Sequence, residues 1–273
     1  MVSVLSGSPY SVIGASIRGA SHKRSRKPNQ DSFKIIQEPD VLILAAADGH
    51  GSESSPYSKS GSLIAVNAFC KTMSEYCRVH ADDWDALRVM LNRDCETTIS
   101  RKIDSDWKRN VLKSNRARQK KGDEGNEEVW RMYGTTLLGV VITPAFVFAY
   151  QLGDGDIVFS SENKTERVII GALMLGTATH SLSSFDSWKR AKTKVYSVPN
   201  KDEACAFHIS TDGFSNSYRD EQTFLCTALD YFKTINEHGV EAVKTNIKSW
   251  LNETSKNGSG DDITMLIAYR ADE

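Results

Sequence analysis

The run Val41–Ala47 (VLILAAA) is seven apolar residues without a polar interruption, and it ends directly in Asp48-Gly49-His50-Gly51. Such a run has the length of a fully buried strand. Other extended segments frame it. Val12–Gly19 and Phe33–Ile36 precede it, and Thr135–Ile142 and Phe146–Leu152 follow, joined across Thr143-Pro144-Ala145, where proline is pre-set for a turn. Ala204–Ser210 and a closing strand, Ile263–Tyr269, lie further on. Helical spacing marks Ser54–Tyr76, with Leu63, Val66, Ala68, Phe69 and Met73 on one face, and a second long helix from Asp82. Gln222–Ile235 and Val240–Leu251 also read as helices, while residues 157–200 look less regular, with short extended pieces around Val168 and Val195. Strands at both ends, helical pairs between them and a preference for hairpins favour an α+β fold over regular β-α-β alternation. Nothing resembling a linker or repeat interrupts the chain, so one domain is expected across 1–273.

A chain of 273 residues can bury a large core without disulfides or structural metal. Its hydrophobic share of 40% and charged share of 25% exclude wholesale disorder. The charge balance, 34 − 35 = −1, argues against a dedicated binder of nucleic acid. Two segments depart from that balance. One is a basic turn carrying Arg18, Lys23, Arg24, Arg26 and Lys27. The other is Arg101–Lys121, with nine basic and two acidic residues, followed by Asp123, Glu124, Glu127 and Glu128. The second run reads as a solvated helix end or loop, and its sharper alternative is a docking surface for an acidic or phosphorylated partner. Five cysteines without a C-x-x-C pair fit reduced thiols. No secretory leader is visible, and no run of about 18 apolar residues could span a bilayer. A soluble, cytoplasmic protein with no membrane partner is expected.

The chemistry-bearing residues share one context, an aspartate at a strand end or beside a glycine. Asn29-Gln30-Asp31 follows the basic turn, Asp48-Gly49 follows VLILAAA, and Gly153-Asp154-Gly155-Asp156 follows FVFAYQL. Thr211-Asp212-Gly213 follows CAFHIS, and Gly260-Asp261-Asp262 precedes the last strand. Singly, each is more often a turn than a ligand. Together, carboxylates and backbone carbonyls form a hard-oxygen set that suits Mg2+ or Mn2+, whereas nothing is spaced for zinc. Carboxylates that converged without a cation would raise one another's pKa values, so convergence would imply metal.

In order, Arg26-Lys27-Pro28-Asn29-Gln30-Asp31, Asp48-Gly49-His50-Gly51, Gly134-Thr135-Thr136, Gly153-Asp154-Gly155-Asp156, Ser210-Thr211-Asp212-Gly213 and Asp261-Asp262-Ile263-Thr264 resemble the successive motifs of the protein phosphatase 2C family, in its compact bacterial form. The resemblance implies a four-layer α-β-β-α sandwich of two antiparallel sheets flanked by helices. It also implies hydrolysis of phosphoserine or phosphothreonine by a hydroxide bridging two Mn2+ or Mg2+ ions, with a third, weaker ion in some members. In that pattern Asp48 would bridge two ions with the Gly49 carbonyl on one, Asp212 and Asp261 would complete the other, and Asp154 with Asp212 would hold the third. Arg26 would clamp the substrate phosphate and His50 would be the general acid. Asp31 and Gln30 would stand behind the ligands or bind weakly, Gln30 replacing a glutamate found in many members. Residues 157–200 correspond to the family's variable flap. The implied partners are a phosphorylated protein and a cognate Ser/Thr kinase, the chain itself being a monomer. Two rivals stay open: a pseudo-phosphatase scaffold that binds phosphoproteins without turnover, favoured only by Gln30, and a phosphoesterase for small molecules.

One decoy is set aside. Cys95 and Arg101 have the C-x5-R spacing of cysteine-dependent phosphatases, but no glycine lies between them, and Glu96 adjoins the thiol. Among the remaining histidines (His22, His80, His180, His208, His238) no ligand-like spacing occurs, and His208 reads as structural.

Overall fold

A computed structural model of the chain describes residues 9–118, 125–170, 180–200 and 202–272. Its ten strands form two antiparallel five-stranded sheets. The first has the order β1 (Ser11–Ile17), β10 (Ile263–Arg270), β9 (Cys205–Ser210), β6 (Asp156–Ser161), β7 (Thr165–Arg167). The second has the order β2 (Ser32–Glu38), β3 (Val41–Ala47), β4 (Leu137–Ile142), β5 (Phe146–Leu152), β8 (Lys192–Ser197).

The apolar run of β3 is buried along its whole length because both of its faces are covered. Leu42, Leu44 and Ala46 meet Phe207, Ile209, Leu266 and Ala268 of the other sheet in the central core. Ile43, Ala45 and Ala47 turn the opposite way, toward α2 (Ser58–Val79) and α4 (Ser100–Arg118), where they join Val66, Phe69, Met73 and Trp107. The outer face of the first sheet, with Ile13, Met265 and Ile267, packs on α7 (Glu221–His238) and α8 (Val240–Asn257) through Phe232, Val243, Ile247 and Leu251. The result is the four-layer α-β-β-α sandwich, held by three apolar clusters between layers.

Several elements differ from their sequence reading. The region 157–200 holds β6, an interior strand paired with both β9 and β7. Its six residues, DIVFSS, are too short and too mixed to show a period. Within the basic turn lies a short helix, α1 (Ala20–Ser25). The long helix from Asp82 is two helices, α3 (Trp84–Asp94) and α4, joined through one π-helical turn, Cys95–Ile99, and a short helix, α5 (Asn126–Met132), precedes β4. The basic run Arg101–Arg118 is therefore helix, with Ile103, Trp107 and Val111 buried on one side. Lys102 and Arg109 pair with Asp106, Lys108 pairs with Asp104, and Arg101 stacks over Trp188 at 3.9 Å. Lys120, Lys121, Asp123 and Glu124, and part of the expected flap (171–179), lie outside the described residues. Cys95 is buried, its Sγ 2.7 Å from Thr193 Oγ1, and burial pushes its thiol pKa up, which removes it as a nucleophile. No helix of the described residues is long and apolar enough to cross a membrane.

Candidate active site

Strand ends from both sheets deliver their aspartates to one edge of the sandwich. Asp48 follows β3, and the chain there is pinned by the Gly134-Thr135-Thr136 segment. Thr136 Oγ1 accepts from Asp48 N–H at 3.0 Å, the Thr136 N–H and the Thr135 hydroxyl both donate to Asp48 O, and His50 N–H donates to Gly134 O at 3.1 Å. Gly134 also makes room for the imidazole, since a Cβ there would lie 2.6 Å from His50 Cδ2. At Gly49 a Cβ would lie 2.7 Å from Gln30 O and 2.8 Å from the Ser58 backbone, so only glycine lets three segments close on this point. That crowding explains the D-G order better than turn propensity does.

From the other sheet, Asp212 opens a single helical turn, α6 (Asp212–Ser215), directly after β9 and Thr211. The Thr211 hydroxyl donates to Asp31 Oδ2 at 2.8 Å, which ties Asp31, just before β2, to the Asp212 loop. Burial raises the Asp31 pKa to about 7, with Asp262 and Asp261 adding to the rise. Burial also pushes Asp48 well above the usual carboxylate range, helped by Asp31, Asp212 and Asp261. Asp212 is raised to about 6, chiefly by burial and then by Asp154. The Asp48 and Asp212 carboxylates lie near enough for Asp212 to add to the rise at Asp48, as expected of like charges brought together. The pKa of His50 is lowered by burial, with Asp154 pulling the opposite way. Asp48, Asp31, Asp212, Asp261, Asp154 and His50 therefore share one electrostatic neighbourhood.

Asp156, from the same G-D-G-D motif as Asp154, touches this neighbourhood only as the last of the causes that raise Asp212. Its carboxylate is buried against Arg167 at 2.7 Å, and Arg167 in turn reaches Glu221. Arg26 lies in the basic turn. It is exposed and ends α1 with φ +60°, the one non-glycine residue with positive φ among those described. A left-handed backbone costs an L-residue roughly 1–2 kcal/mol, a cost often met at functional sites. The next residue, Lys27, reaches across to donate to Gly51 O at 2.8 Å, holding the basic turn beside the Asp48–Gly51 loop.

Two residues that sequence spacing overlooks hold these parts together. Asp262 is buried and accepts from Gly19 N–H and Gln30 N–H at 2.7 Å each, and His22 Nδ1 lies 2.9 Å from its Oδ1. His22 Nε2 is 3.5 Å from Asp261 Oδ1, an oxygen that also accepts from Asp262 N–H at 2.8 Å. One Asp261 oxygen is thus anchored. The doubled aspartate was a signal of sorts, one carboxylate for the site and one for the backbone. His22 had none, because its partners lie at the far end of the chain. Lys59, whose ammonium donates to Asp31 O, supplies a cation behind the acids, and burial lowers its pKa.

The donors fit a hard divalent cation. Gln30 Oε1, Asp31 Oδ1 and Asp212 Oδ1 are buried oxygens with no hydrogen-bond partner, a condition native proteins rarely leave without an ion, water or functional reason. Gln30 is held by its amide nitrogen, which donates to Ser58 Oγ at 2.7 Å, and this leaves the acceptor end over. Oxygen atoms alone, from carboxylates and an amide, match Mg2+ or Mn2+.

A two-sheet sandwich with such a cluster at its edge, and an imidazole and basic side chains around it, defines the class of metal-dependent hydrolases. The family model for protein phosphatase 2C matches residues 18–252, and the chain belongs to that family, the metal-dependent phosphatases that act on phosphoserine and phosphothreonine with Mn2+ or Mg2+. Solved structures share the fold at low identity. Serine-threonine phosphatase 2C from Toxoplasma gondii superposes with a TM-score of 0.61 at 13% identity, over 96% of this chain and 95% of that one. RsbX in complex with magnesium gives 0.54 at 18% identity, over 99% and 100%. The catalytic domain of the serine threonine protein phosphatase PstP, with two manganese ions, gives 0.55 at 12% identity, over 96% and 99%. No curated protein matches the chain by sequence.

Proposed function

We propose that this chain is an active phosphatase for phosphoserine or phosphothreonine in protein substrates, with its chemistry at the carboxylate cluster. The carrying observation is the convergence of Asp31, Asp48 and Asp212 with three buried oxygens left unpartnered. Asp48, the Gly49 carbonyl, Asp212 and Asp261 would hold two ions, with Asp154 toward a third and Gln30 and Asp31 contributing weakly or from behind. The ions, when bound, lower the pKa of water and offset charge on phosphate oxygens. Arg26, exposed on a fixed left-handed turn, supplies planar donors for the substrate phosphate. His50 is the residue that donates a proton to the departing serine or threonine oxygen; burial lowers its pKa, which eases release of that proton, and the charge of Asp154 only partly opposes this. Gln30 keeps an acceptor oxygen at its position, so its lack of charge tunes the site and does not abolish it. A cognate Ser/Thr kinase, a cytoplasmic location and a monomeric state complete the reading, with residues 1–273 acting as one catalytic domain.

The test is phosphate release from phosphothreonine and phosphoserine peptides with Mn2+, and with EDTA as control. Mn2+-dependent release supports the reading. Peptide binding without release would instead identify a pseudo-phosphatase, and release from nucleotides or sugar phosphates alone would identify a small-molecule phosphoesterase.

A further inference from the structure

On the side of the first sheet away from the central core, α7 and α8 leave between them an open groove of about 380 Å³. Its walls combine three aromatic side chains, Tyr218, Tyr231 and Trp250, with two carboxylates, Asp230 and Glu253, and no basic side chain lines it. The rings are packed against one another. Tyr231 and Trp250 meet in a T-shape at 5.7 Å, and both Tyr218 and Tyr231 pack edge-on to Phe214. Phe214 belongs to the turn opened by Asp212, so the groove is fixed to the same element that carries a site aspartate.

The charges are unmatched. Asp230 and Glu253 form no ion pair among the described residues, although neighbouring Glu241 and Glu221 do. Cation–π contacts occur at rings elsewhere in the protein, including Phe224 under Arg167 on the same layer, but none is made to Tyr218, Tyr231 or Trp250 among the described residues. Aromatic faces flanked by carboxylates recognise organic cations, with the rings contributing dispersion and quadrupole attraction and the carboxylates the long-range pull. Arginine fits this set best, because its planar guanidinium stacks on a ring while its donors reach a carboxylate.

We propose that the α7–α8 groove is a docking site for a basic peptide segment, seating an arginine side chain against the partly exposed Trp250, between Asp230 and Glu253. The occupant is read from charge complementarity: among the described residues the two acids are without an ion pair, no base lines the groove, and its rings carry no cation. The inference stands apart from the phosphatase reading, since it needs no turnover.

The probe is a capped triarginine peptide, titrated at saturating Mg2+ so that the carboxylates of the candidate active site are already occupied. Its effect is followed on the Trp250 indole N–H resonance, assigned with Trp250→Phe, and by calorimetry, with capped triglutamate as control. The expected result is a saturable shift of the Trp250 resonance with triarginine only, weakened at least tenfold in the Asp230→Asn/Glu253→Gln variant and by added salt. Both substituted side chains are exposed, so the variant should melt like the parent, and this is checked in parallel. Equal affinity of triarginine for parent and variant would overturn the proposal, as would shifts confined to resonances outside the groove. Because no step depends on catalysis, a protein that fails the phosphate-release assay can still pass this one, and the reverse.

Discussion

Asp262 accepts two backbone N–H groups and faces an imidazole, all while buried, so its carboxylate works as a knot joining the turn after β1, the segment before β2 and the loop before β10. Asp261 beside it is aimed by that knot and by His22. Groups that orient a metal ligand from behind are typically worth 10–100-fold in metal affinity. His22→Ala is therefore expected to weaken Mn2+ binding by about that factor in calorimetry, while the protein still melts cooperatively. An unchanged affinity would mean that Asp261 needs no such support. His50 is tested through its leaving group. An alkoxide needs a proton as it departs, whereas a nitrophenolate already delocalises its charge. General acid catalysis is worth about 10²–10⁴ in rate, so His50→Gln should lose on the order of a hundredfold on phosphothreonine peptides and far less on p-nitrophenyl phosphate. Equal losses on both substrates would remove His50 from the acid role.

Elements position these residues through contacts of very different legibility. β3 could be read from sequence because seven apolar residues admit few other fates, and its Asp48-Gly49 exit came with it. The hairpin β4–β5 announced itself through Thr143-Pro144, and Thr143 indeed closes the turn with its hydroxyl on Phe146. α1 was invisible. Its six residues carry no apolar face, and what holds it is tertiary: Ala20 N–H on Ser255 Oγ and Ser21 on Gly260 O. Asp154 and Asp156 looked alike as sequence, and only Arg167, brought over by β7, separates a site acid from a structural ion pair. The basic run of α4 was ambiguous for the same reason, since the acids that pair with it sit on the same helix and on α2. α4 matters to the fold through Trp107, which is fully buried and donates from Nε1 to Gly61 O at 3.0 Å. Trp107→Ala should cost about 3–5 kcal/mol, read as a lower urea midpoint. A shift below about 1 kcal/mol would show that α4 contributes little to holding α2 over the sheet.

At the scale of the whole molecule, the fold concentrates buried carboxylates at one edge and so makes stability depend on pH and on metal together. Asp31 rises from 3.8 to about 7 on folding and Asp212 to about 6, each first through burial, and Asp48 rises as well. A carboxyl with a raised folded pKa binds its proton more tightly in the folded chain than in the unfolded one. Its neutral form is therefore tolerated at low pH, and stability is lost as the pH climbs from about 4 toward the folded values near 6–7. With EDTA present, the melting temperature should fall between pH 5 and pH 7.5, and excess Mn2+ should remove most of that fall, because an ion that binds only the folded state stabilises it by mass action. A flat profile in EDTA would mean that the acids do not crowd one another. The most direct measurement joins these strands in one variant. Asp48→Asn removes a charge from the centre of the cluster, so two effects of opposite sign are expected: the metal-free variant melts higher than the parent at pH 7.5, and its response to Mn2+ is largely lost. If the variant instead melted lower without metal and kept the full Mn2+ response, Asp48 would not be the shared ligand, and the cluster would not be the metal centre of this protein.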